Sequence, residues 1–219
     1  MEAIDFKPLE YHDEYRHPSA NKDGGFANHD PDDVAKLRST GKEYLKQIGK
    51  QIMSGKFNLF KISAPIKCMG AWSMINAIGT MACTAPFYMT RSALVVDPLE
   101  RMKSLIAGQV SYQFPCHKFE KPLNPILGET YAGELQDGTE IYLEQTCHHP
   151  PITSCIQIGP NGLYTMDFYS SLSGYLSGWN SIHVAVTGRK RIRYRDGTEI
   201  TWNNPSDDIV SCIWGQMAR

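Results

Sequence analysis

The feature that most constrains this fold is a series of short segments after residue 125 in which apolar and polar residues alternate. A period of two is typical of strands that bury one face. The predicted strands cover residues 130–135, 139–145, 154–158, 163–170, 181–187, 191–194, 199–202 and 209–214. Because no helical pattern separates them, the sequence disfavours a doubly wound parallel sheet and predicts an antiparallel meander.

Turn residues lie between the predicted strands. Asp137-Gly138 is a hairpin signal, and further turn signals are Pro160-Asn161-Gly162, Ser177-Gly178, Gly188, Asp196-Gly197 and Asn203-Asn204-Pro205. An antiparallel sheet of this length must close or cover its edges. The predicted fold class is therefore α+β and mainly antiparallel, with a curved sheet that tends to a barrel.

An amphipathic helix is predicted after two aspartates at positions 32 and 33. Leu37, Leu45, Ile48 and Ile52 recur near a period of 3.6, with lysines on the opposite face. We favour packing of this apolar face on its own domain, and direct contact with a membrane is the alternative. Residues 1–30, which precede the helix and have no apolar period, are predicted to be a flexible leader.

A second helix has a clear start signal. Asp97-Pro98-Leu99-Glu100 supplies an N-cap, a proline at the first helical position and a glutamate at the third. The helix is predicted to run to about Phe114. The residues expected to share its apolar face and to pack on an apolar partner are Leu99, Met102, Leu105, Ile106 and Val110.

One uncharged stretch, residues 68–90, is long enough to cross a bilayer. Glycine, asparagine, threonine and proline interrupt it, and it contains no leucine. We therefore predict a buried helix pair or a cavity wall rather than a membrane span.

Composition excludes some classes of function. The formal net charge of −1 argues against a nucleic-acid-binding protein, which should carry a basic surplus. Six cysteines without a Cys-x-x-Cys pair, and a polar N-terminus without a secretory signal, indicate reduced thiols and a cytoplasmic location.

The densest group of reactive side chains is Glu144–Pro151, which contains His148 and His149. Pro150 and Pro151 end the preceding strand, so both imidazoles can reach one ligand. Adjacent imidazoles can donate hydrogen bonds to an anion, which in turn favours their protonated forms. The alternative is that one or both donate to backbone carbonyls in a turn.

A second group, Lys121–Tyr131, is predicted to be an ordered loop before a strand. Its prolines fix the backbone around Asn124, and Gly128 permits a turn or a close backbone approach. Lys121 adds a cation. With the histidine pair, these groups form a suitable set for binding a phosphate.

These two motifs resemble the oxysterol-binding protein family. Glu144–Pro151 is similar to that family's Glu-Gln-Val-Ser-His-His-Pro-Pro signature but departs from it at Thr146 and Cys147. Lys121–Tyr131 is similar to the second marked segment of the family. Weaker likeness, at residues 61–65, 97–102 and 201–205, extends the resemblance over roughly residues 42–219.

The resemblance implies a lipid-transfer domain: an incomplete antiparallel barrel around a hydrophobic tunnel, with N-terminal helices and a lid. It implies a sterol or another apolar lipid as cargo, exchange for phosphatidylinositol 4-phosphate, and transient contact with organelle membranes. Lys121 and Asn124 match positions that hold the inositol lipid's phosphates, and His148 and His149 match the pair that holds its 4-phosphate. The implied organisation is a lid-like segment over 31–57, which includes Leu45, Ile48 and Ile52 as lid or cargo contacts, a helical region over 58–120 and barrel strands over 121–219.

The resemblance also implies a departure at the C-terminus, because family members continue well past the strand that matches residues 209–214. We expect either a short form or a fragment whose tunnel is open on one side. An open side would expose apolar surface and favour association.

Other residue groups have competing interpretations. Arg189, Arg191, Arg193 and Arg195 share one strand face, and an anionic membrane surface would attract such a row. A solvated outer face, balanced by acidic residues elsewhere, is the favoured interpretation. A zinc site formed by Cys147, His148, His149 and Cys155, with Cys116 and His117 as further candidates, lacks a recognised spacing.

No catalytic motif or cofactor-binding pattern is found in the sequence. The function hypotheses are therefore a lipid carrier, a lipid-sensing module without net transport and, less favoured, a metal-dependent hydrolase.

Overall fold

The computed structural model describes residues 16–21, 24–52, 66–113, 120–177, 180–212, 214–215 and 217–218. Its helices are α1 (Pro31–Ile52), α2 (Met74–Ala82), α3 (Pro86–Leu94) and α4 (Pro98–Ser111). Its strands are β1 (Met69–Ser73), β2 (Lys121–Leu123), β3 (Thr130–Glu134), β4 (Glu140–His148), β5 (Pro151–Ile158), β6 (Tyr164–Leu176), β7 (Ser181–Thr187), β8 (Arg189–Tyr194), β9 (Glu199–Asn203) and β10 (Asp207–Val210).

The main sheet is antiparallel throughout its described strands. Its path runs β3-β4-β5-β6-β7-β10, while β8 pairs with both β6 and β9. The predicted hairpin is confirmed, because Thr130 to Glu134 pair in register with Glu144 to Glu140. The path has ends at β3 and β10, so the described strands form an open sheet rather than a closed barrel.

The junction at Gly188 differs from the predicted turn. The thirteen-residue strand β6 pairs with β7 through its second half and with β8 through its first half. Strands β7 and β8 therefore form one line along β6, broken at Gly188. Gly188 has a φ of 144°, and a Cβ there would lie 1.9 Å from the Tyr169 carbonyl oxygen, so only glycine fits. The meander prediction is wrong at this point.

The uncharged stretch forms α2 and α3, which confirms the predicted helix pair. It also forms β1, which pairs in parallel with β2, a pairing not predicted from the sequence. No helix among the described residues is long and apolar enough to span a membrane.

The hydrophobic core lies between helices α2, α3 and α4 and the inner face of the sheet. Alternating residues of β4, β6 and β8 supply the sheet side, because successive side chains of a strand point to opposite faces. The largest fully buried side chains include Ile75, Met89, Tyr112, Ile141, Tyr164, Met166 and Ile192.

Helix α4 begins as predicted but packs through a different face. The Asp97 side chain accepts a hydrogen bond from the Glu100 amide at 2.9 Å, and Pro98 follows the cap. Of the expected apolar face, Leu105 is buried, whereas the others are exposed: Leu99, Met102, Ile106 and Val110. The buried positions of α4 are Arg101, Ser104, Leu105 and Gly108. Because Gly108 has no side chain, Met89 of α3 can approach the helix closely there. The predicted packing of the apolar face is therefore wrong.

Part of the predicted leader contacts the opposite end of the chain. Ala27 is buried and bridges Ala218, and the Asn28 amide donates to the Met217 carbonyl at 2.9 Å. The Arg38 guanidinium of α1 donates to the Gly215 carbonyl. These contacts position α1 beside β10, because Ala218 also bridges Val210 of that strand.

Candidate functional site

A cavity of about 360 Å³ lies between the sheet and α1. Alternating residues of neighbouring strands form much of its wall: Leu172 and Gly174 of β6, Ile182, Val184 and Val186 of β7, and Ile209 of β10. Strand pairing fixes this wall, since Leu172 lies opposite Val186 and Gly174 opposite Val184. The wall is mostly apolar and suits a hydrocarbon ligand.

Helix α1 covers part of this cavity. Leu37, Thr40 and Gly41 line it, and Lys36 pairs with Glu120 at 3.9 Å. The predicted helix is confirmed. The side chains predicted to contact cargo, Leu45, Ile48 and Ile52, lie outside the described side chains, so their role stays a prediction.

Lys121 and Asn124 both line the cavity. The structure brings them together, with 3.4 Å between Lys121 Nζ and Asn124 Oδ1. Asn124 is exposed and Lys121 half-buried, so the pair lies at the mouth, where an ammonium can face both solvent and cavity. A cation and an amide at the rim of an apolar cavity can bind an anionic head group without moving its charge into hydrocarbon.

The histidine pair lies where β4 ends. A register shift follows Gln145, after which Cys147 pairs with Ile152 and His148 with Pro151. The two imidazole centroids are 4.6 Å apart. His149 is exposed, whereas His148 Nδ1 is buried without a hydrogen-bond partner among the described residues. A buried polar atom without a partner costs free energy, and a ligand that hydrogen-bonds to it removes that cost.

Gln145 joins the two motifs. Its backbone carbonyl accepts a hydrogen bond from the Gly128 backbone N–H, and its own backbone N–H donates to the Glu129 carbonyl, both at 3.0 Å. Its buried side chain donates to the Cys147 carbonyl at 2.9 Å and accepts from Thr153 Oγ1 at 2.7 Å. A small cavity of about 20 Å³ is lined by residues of both motifs, among them Asn124, Gln145 and Pro151.

No role of Gln145 or Thr153 is predicted from the sequence. The available signal was alternation, because Gln145 follows the inward residues Ile141 and Leu143 at a spacing of two. A glutamine at an inward position predicts a buried side chain that needs partners. These contacts make Gln145 a positioning residue for the loop and the histidine pair.

Two of the four arginines in the row, Arg191 and Arg193, form ion pairs with Asp167. Asp167 binds Arg191 through two contacts, at 3.1 and 3.2 Å, and Arg193 at 3.2 Å. This pairing supports the solvated-face interpretation of Arg191 and Arg193. Within the described part of the chain, no three potential ligands group around a metal position, and Cys116 and His117 lie outside it.

A comparison with protein families matches residues 45–218 to the model for the oxysterol-binding protein. The chain belongs to the oxysterol-binding protein family. Oxysterol-binding protein 9 of Dictyostelium discoideum is 31% identical over 201 residues, which cover 92% of this chain and 46% of that protein. Oxysterol-binding protein-related protein 2 of Mus musculus is 31% identical over 163 residues, 73% of this chain and 33% of that protein. The chain thus spans less than half of either relative.

Solved structures of Osh ORD domains have the same fold. The Osh1 ORD domain in complex with cholesterol superposes with a TM-score of 0.69 at 19% identity, covering 93% of this chain and 46% of that one. The Osh3 ORD in complex with PI(4)P, from Saccharomyces cerevisiae, gives a TM-score of 0.67 at 20% identity, covering 80% and 46%. The predicted fold class, an incomplete antiparallel barrel with N-terminal helices, is confirmed.

Proposed function

We propose that this protein is a lipid carrier that binds a sterol or another apolar lipid in the cavity and exchanges it for phosphatidylinositol 4-phosphate. The observation that carries this proposal is the position of Lys121 and Asn124 at the rim of an apolar cavity. Membership of the oxysterol-binding protein family supports it, as do fold relatives solved with cholesterol and PI(4)P.

The two parts of the site have different driving forces. Burial of an apolar cargo contributes about 25 cal/mol per Å² of apolar surface, which favours the Leu172, Val184 and Ile209 wall. A phosphorylated head group stays at the mouth and accepts hydrogen bonds from Lys121 and Asn124 there. His148 and His149, which do not line the cavity, are the further proposed donors to its phosphate. Because the acyl chains of a phosphoinositide held at the mouth would occupy the same apolar cavity as the sterol, the two lipids compete for one protein. This competition is the basis of exchange.

The proposed setting is the cytoplasm, where the carrier touches organelle membranes only while it loads or releases lipid. Helix α1 is the proposed lid, since Leu37 and Thr40 line the cavity that it covers.

Extraction of phosphatidylinositol 4-phosphate from liposomes tests the head-group assignment. The double variant His148→Ala with His149→Ala is expected to lose most of this extraction and to keep sterol binding. His183→Ala is the matched control, because Ile182 and Val184 on either side of it line the cavity and His183 therefore faces away. Equal extraction by the double variant and the control contradicts the assignment.

Net movement of lipid between two liposome populations separates a carrier from a lipid sensor. A carrier moves sterol from donor to acceptor liposomes, and the phosphoinositide in the acceptor accelerates that movement. Binding of both lipids without movement supports the sensing module instead.

A further inference from the structure

Strand β9 forms a free edge of the described sheet. Among the described strands it pairs with β8 alone. At the turn between the two strands, the Tyr194 backbone N–H donates to the Thr198 carbonyl at 2.9 Å. Because hydrogen-bonded and non-hydrogen-bonded pairs alternate along an antiparallel ladder, the backbone N–H and C=O groups of Glu199, Thr201 and Asn203 point away from β8.

This edge has none of the features that commonly block a strand from pairing further. Proline, lysine and β-bulges protect native edges, because an unpaired edge can bind another strand. Strand β9 contains neither proline nor lysine, and its pairing with β8 shows no register shift. No described residue bonds to the outward backbone groups. The three residues that carry them are exposed, and Glu199 is the single charge of the strand.

Helix α4 lies along β9. Near the start of the helix, Arg101 donates to the Thr198 hydroxyl at 3.0 Å, and near its end the Gln109 amide oxygen accepts from the Trp202 indole at 3.2 Å. The same oxygen accepts from buried Lys190 of β8 at 3.1 Å. From the first contact to the second, the helix rises about 12 Å and the strand about 13 Å, so the two elements run side by side.

The exposed apolar side chains of α4, which we call the α4 stripe, are Leu99, Met102, Ile106 and Val110. On one side, α4 packs on α3, where Gly108 lies against Met89. Helix α3 in turn lies toward the opposite end of the sheet, because Thr90 bonds to Asp137 of the β3–β4 turn at 2.9 Å. At about 100° per residue, the stripe follows Gln109 around the helix on the side away from Gly108. It therefore overhangs the free edge of β9.

We propose that two copies of this chain form a symmetric dimer in which the β9 edges pair in antiparallel and the α4 stripes pack together on the inner face. Full overlap of the strand with its own copy fixes the register. Thr201 then lies on the two-fold axis, and Glu199 lies opposite Asn203 of the second copy. These pairs use the outward backbone groups, so each pair exchanges two hydrogen bonds.

The side chains of β9 suit a second copy of the same strand. The charge of Glu199 faces the neutral amide of Asn203, so no like charges lie opposite each other. On the inner face, Ile200 lies opposite Trp202 of the second copy, and pairs of β-branched and aromatic residues stabilise a sheet. The α4 stripes add the apolar area that one short edge lacks. Backbone, charge and apolar area therefore all match a second copy.

A disulfide at the two-fold axis tests the register. In Thr201→Cys the two new thiols face each other with their Cα atoms about 5.5 Å apart, which a disulfide can bridge. Glu199→Cys is the matched control, since its two copies lie about 14 Å apart along the same edge. Under mild oxidation, Thr201→Cys is expected to form at least about fivefold more reducible dimer than Glu199→Cys. Equal crosslinking of the two variants overturns the proposed pairing.

A charge at position 203 separates dimerisation from the stability of one chain. Asn203→Asp faces Glu199 of the second copy and is expected to weaken the dimer about fivefold, whereas Asn203→Lys strengthens it about fivefold. Within one chain, position 203 lies opposite Arg189, so thermal unfolding of the dilute monomer should change in the opposite directions. Sedimentation equilibrium measures the dimer dissociation constant. Gln136→Asp and Gln136→Lys, in an exposed turn, are the controls for net charge.

The dimer and the carrier proposal fail independently, because the dimer does not require a lipid in the cavity. A wild-type chain that stays monomeric at high concentration overturns the dimer. A dimer whose dissociation constant shifts no more in the Asn203 variants than in the Gln136 controls uses another surface, which overturns the β9 pairing. Circular dichroism checks the fold of each variant. If a cysteine variant is unfolded, the Asn203 variants decide.

Discussion

At the scale of single residues, the charge of Lys121 is expected to contribute most to binding of a phosphorylated head group at the proposed mouth. Lys121→Met is expected to weaken binding to liposomes containing phosphatidylinositol 4-phosphate by about tenfold, because a charge-assisted hydrogen bond is lost. The loss should shrink as salt is raised, since part of the attraction is screened. Liposome sedimentation at two salt concentrations measures it.

Lys103→Met serves as the control for this experiment. Lys103 is an exposed lysine that pairs with Glu100 at 2.7 Å on α4, so its removal changes the net charge equally. If both variants bind as the wild type does, Lys121 does not contact the head group. If both lose affinity equally, net charge rather than the mouth controls binding.

A second residue-scale prediction concerns Asp196. Hydrogen bonds from the Thr198 amide and from Arg101, at 2.9 and 2.6 Å, lower the pKa of Asp196 to about 2. Because this folded-state pKa lies below the unfolded value near 3.9, the carboxylate contributes stability above about pH 4 and loses it as pH falls toward 2. Urea unfolding of Asp196→Asn should therefore show a smaller loss of stability over this window than the wild type. Equal acid sensitivity of the two proteins contradicts this prediction.

Residue-scale features could be predicted from the sequence where a short motif fixes them. The sequence motifs predict both the grouping of Lys121 with Asn124 and the end of a strand near His148. The sequence does not single out Lys190, because it lies among arginines in an unbroken basic run. Alternation was the missed signal, since Lys190 shares its strand face with the buried residues Ile192 and Tyr194.

At the scale of elements, Gly188 determines how β7 and β8 share β6. Gly188→Ala is expected to lower the free energy of unfolding by roughly 2–4 kcal/mol, because its Cβ would collide with the Tyr169 carbonyl oxygen at a positive φ. Gly197→Ala is the matched control: it has a φ of 87° with nothing within 4 Å of the added Cβ. It isolates the backbone strain, about 1–2 kcal/mol, from the collision. Urea unfolding measures both, and equal losses contradict the steric explanation.

Local patterns predicted the elements better than their pairing. The limits of β7 and the hairpin of β3 with β4 follow from alternation and from Asp137-Gly138. The pairing of β8 with β6 depends on the length of β6 and on the bend at Gly188, which no local pattern encodes. The parallel pair β1–β2 joins segments about fifty residues apart, and its strands are too short for a periodic signal.

At the scale of the whole molecule, the fold leaves an apolar stripe of α4 exposed. Leu99 and Ile106 are 63% and 56% exposed, and Met102 and Val110 extend the stripe along the helix. Amphipathic periodicity indicated that this stripe would be buried, but the helix packs through Arg101 and Gly108 instead. Arg101 is held there by Asp196, by Thr198 at 3.0 Å and by the Tyr194 ring at 4.8 Å. Periodicity therefore predicts the apolar stripe but not its exposure to solvent.

Exposed apolar stripes favour association, so the chain is expected to form dimers or larger species as its concentration rises. The double variant Leu99→Glu with Ile106→Glu should shift sedimentation to the monomer, because charges at exposed positions oppose burial. Its free energy of unfolding should change by less than about 1 kcal/mol, since neither side chain belongs to the core. Lys103→Glu, on the same helix outside the stripe, is the control for added negative charge. A wild-type chain that stays monomeric at high concentration, or a double variant that associates like the control, contradicts a role for the stripe in self-association.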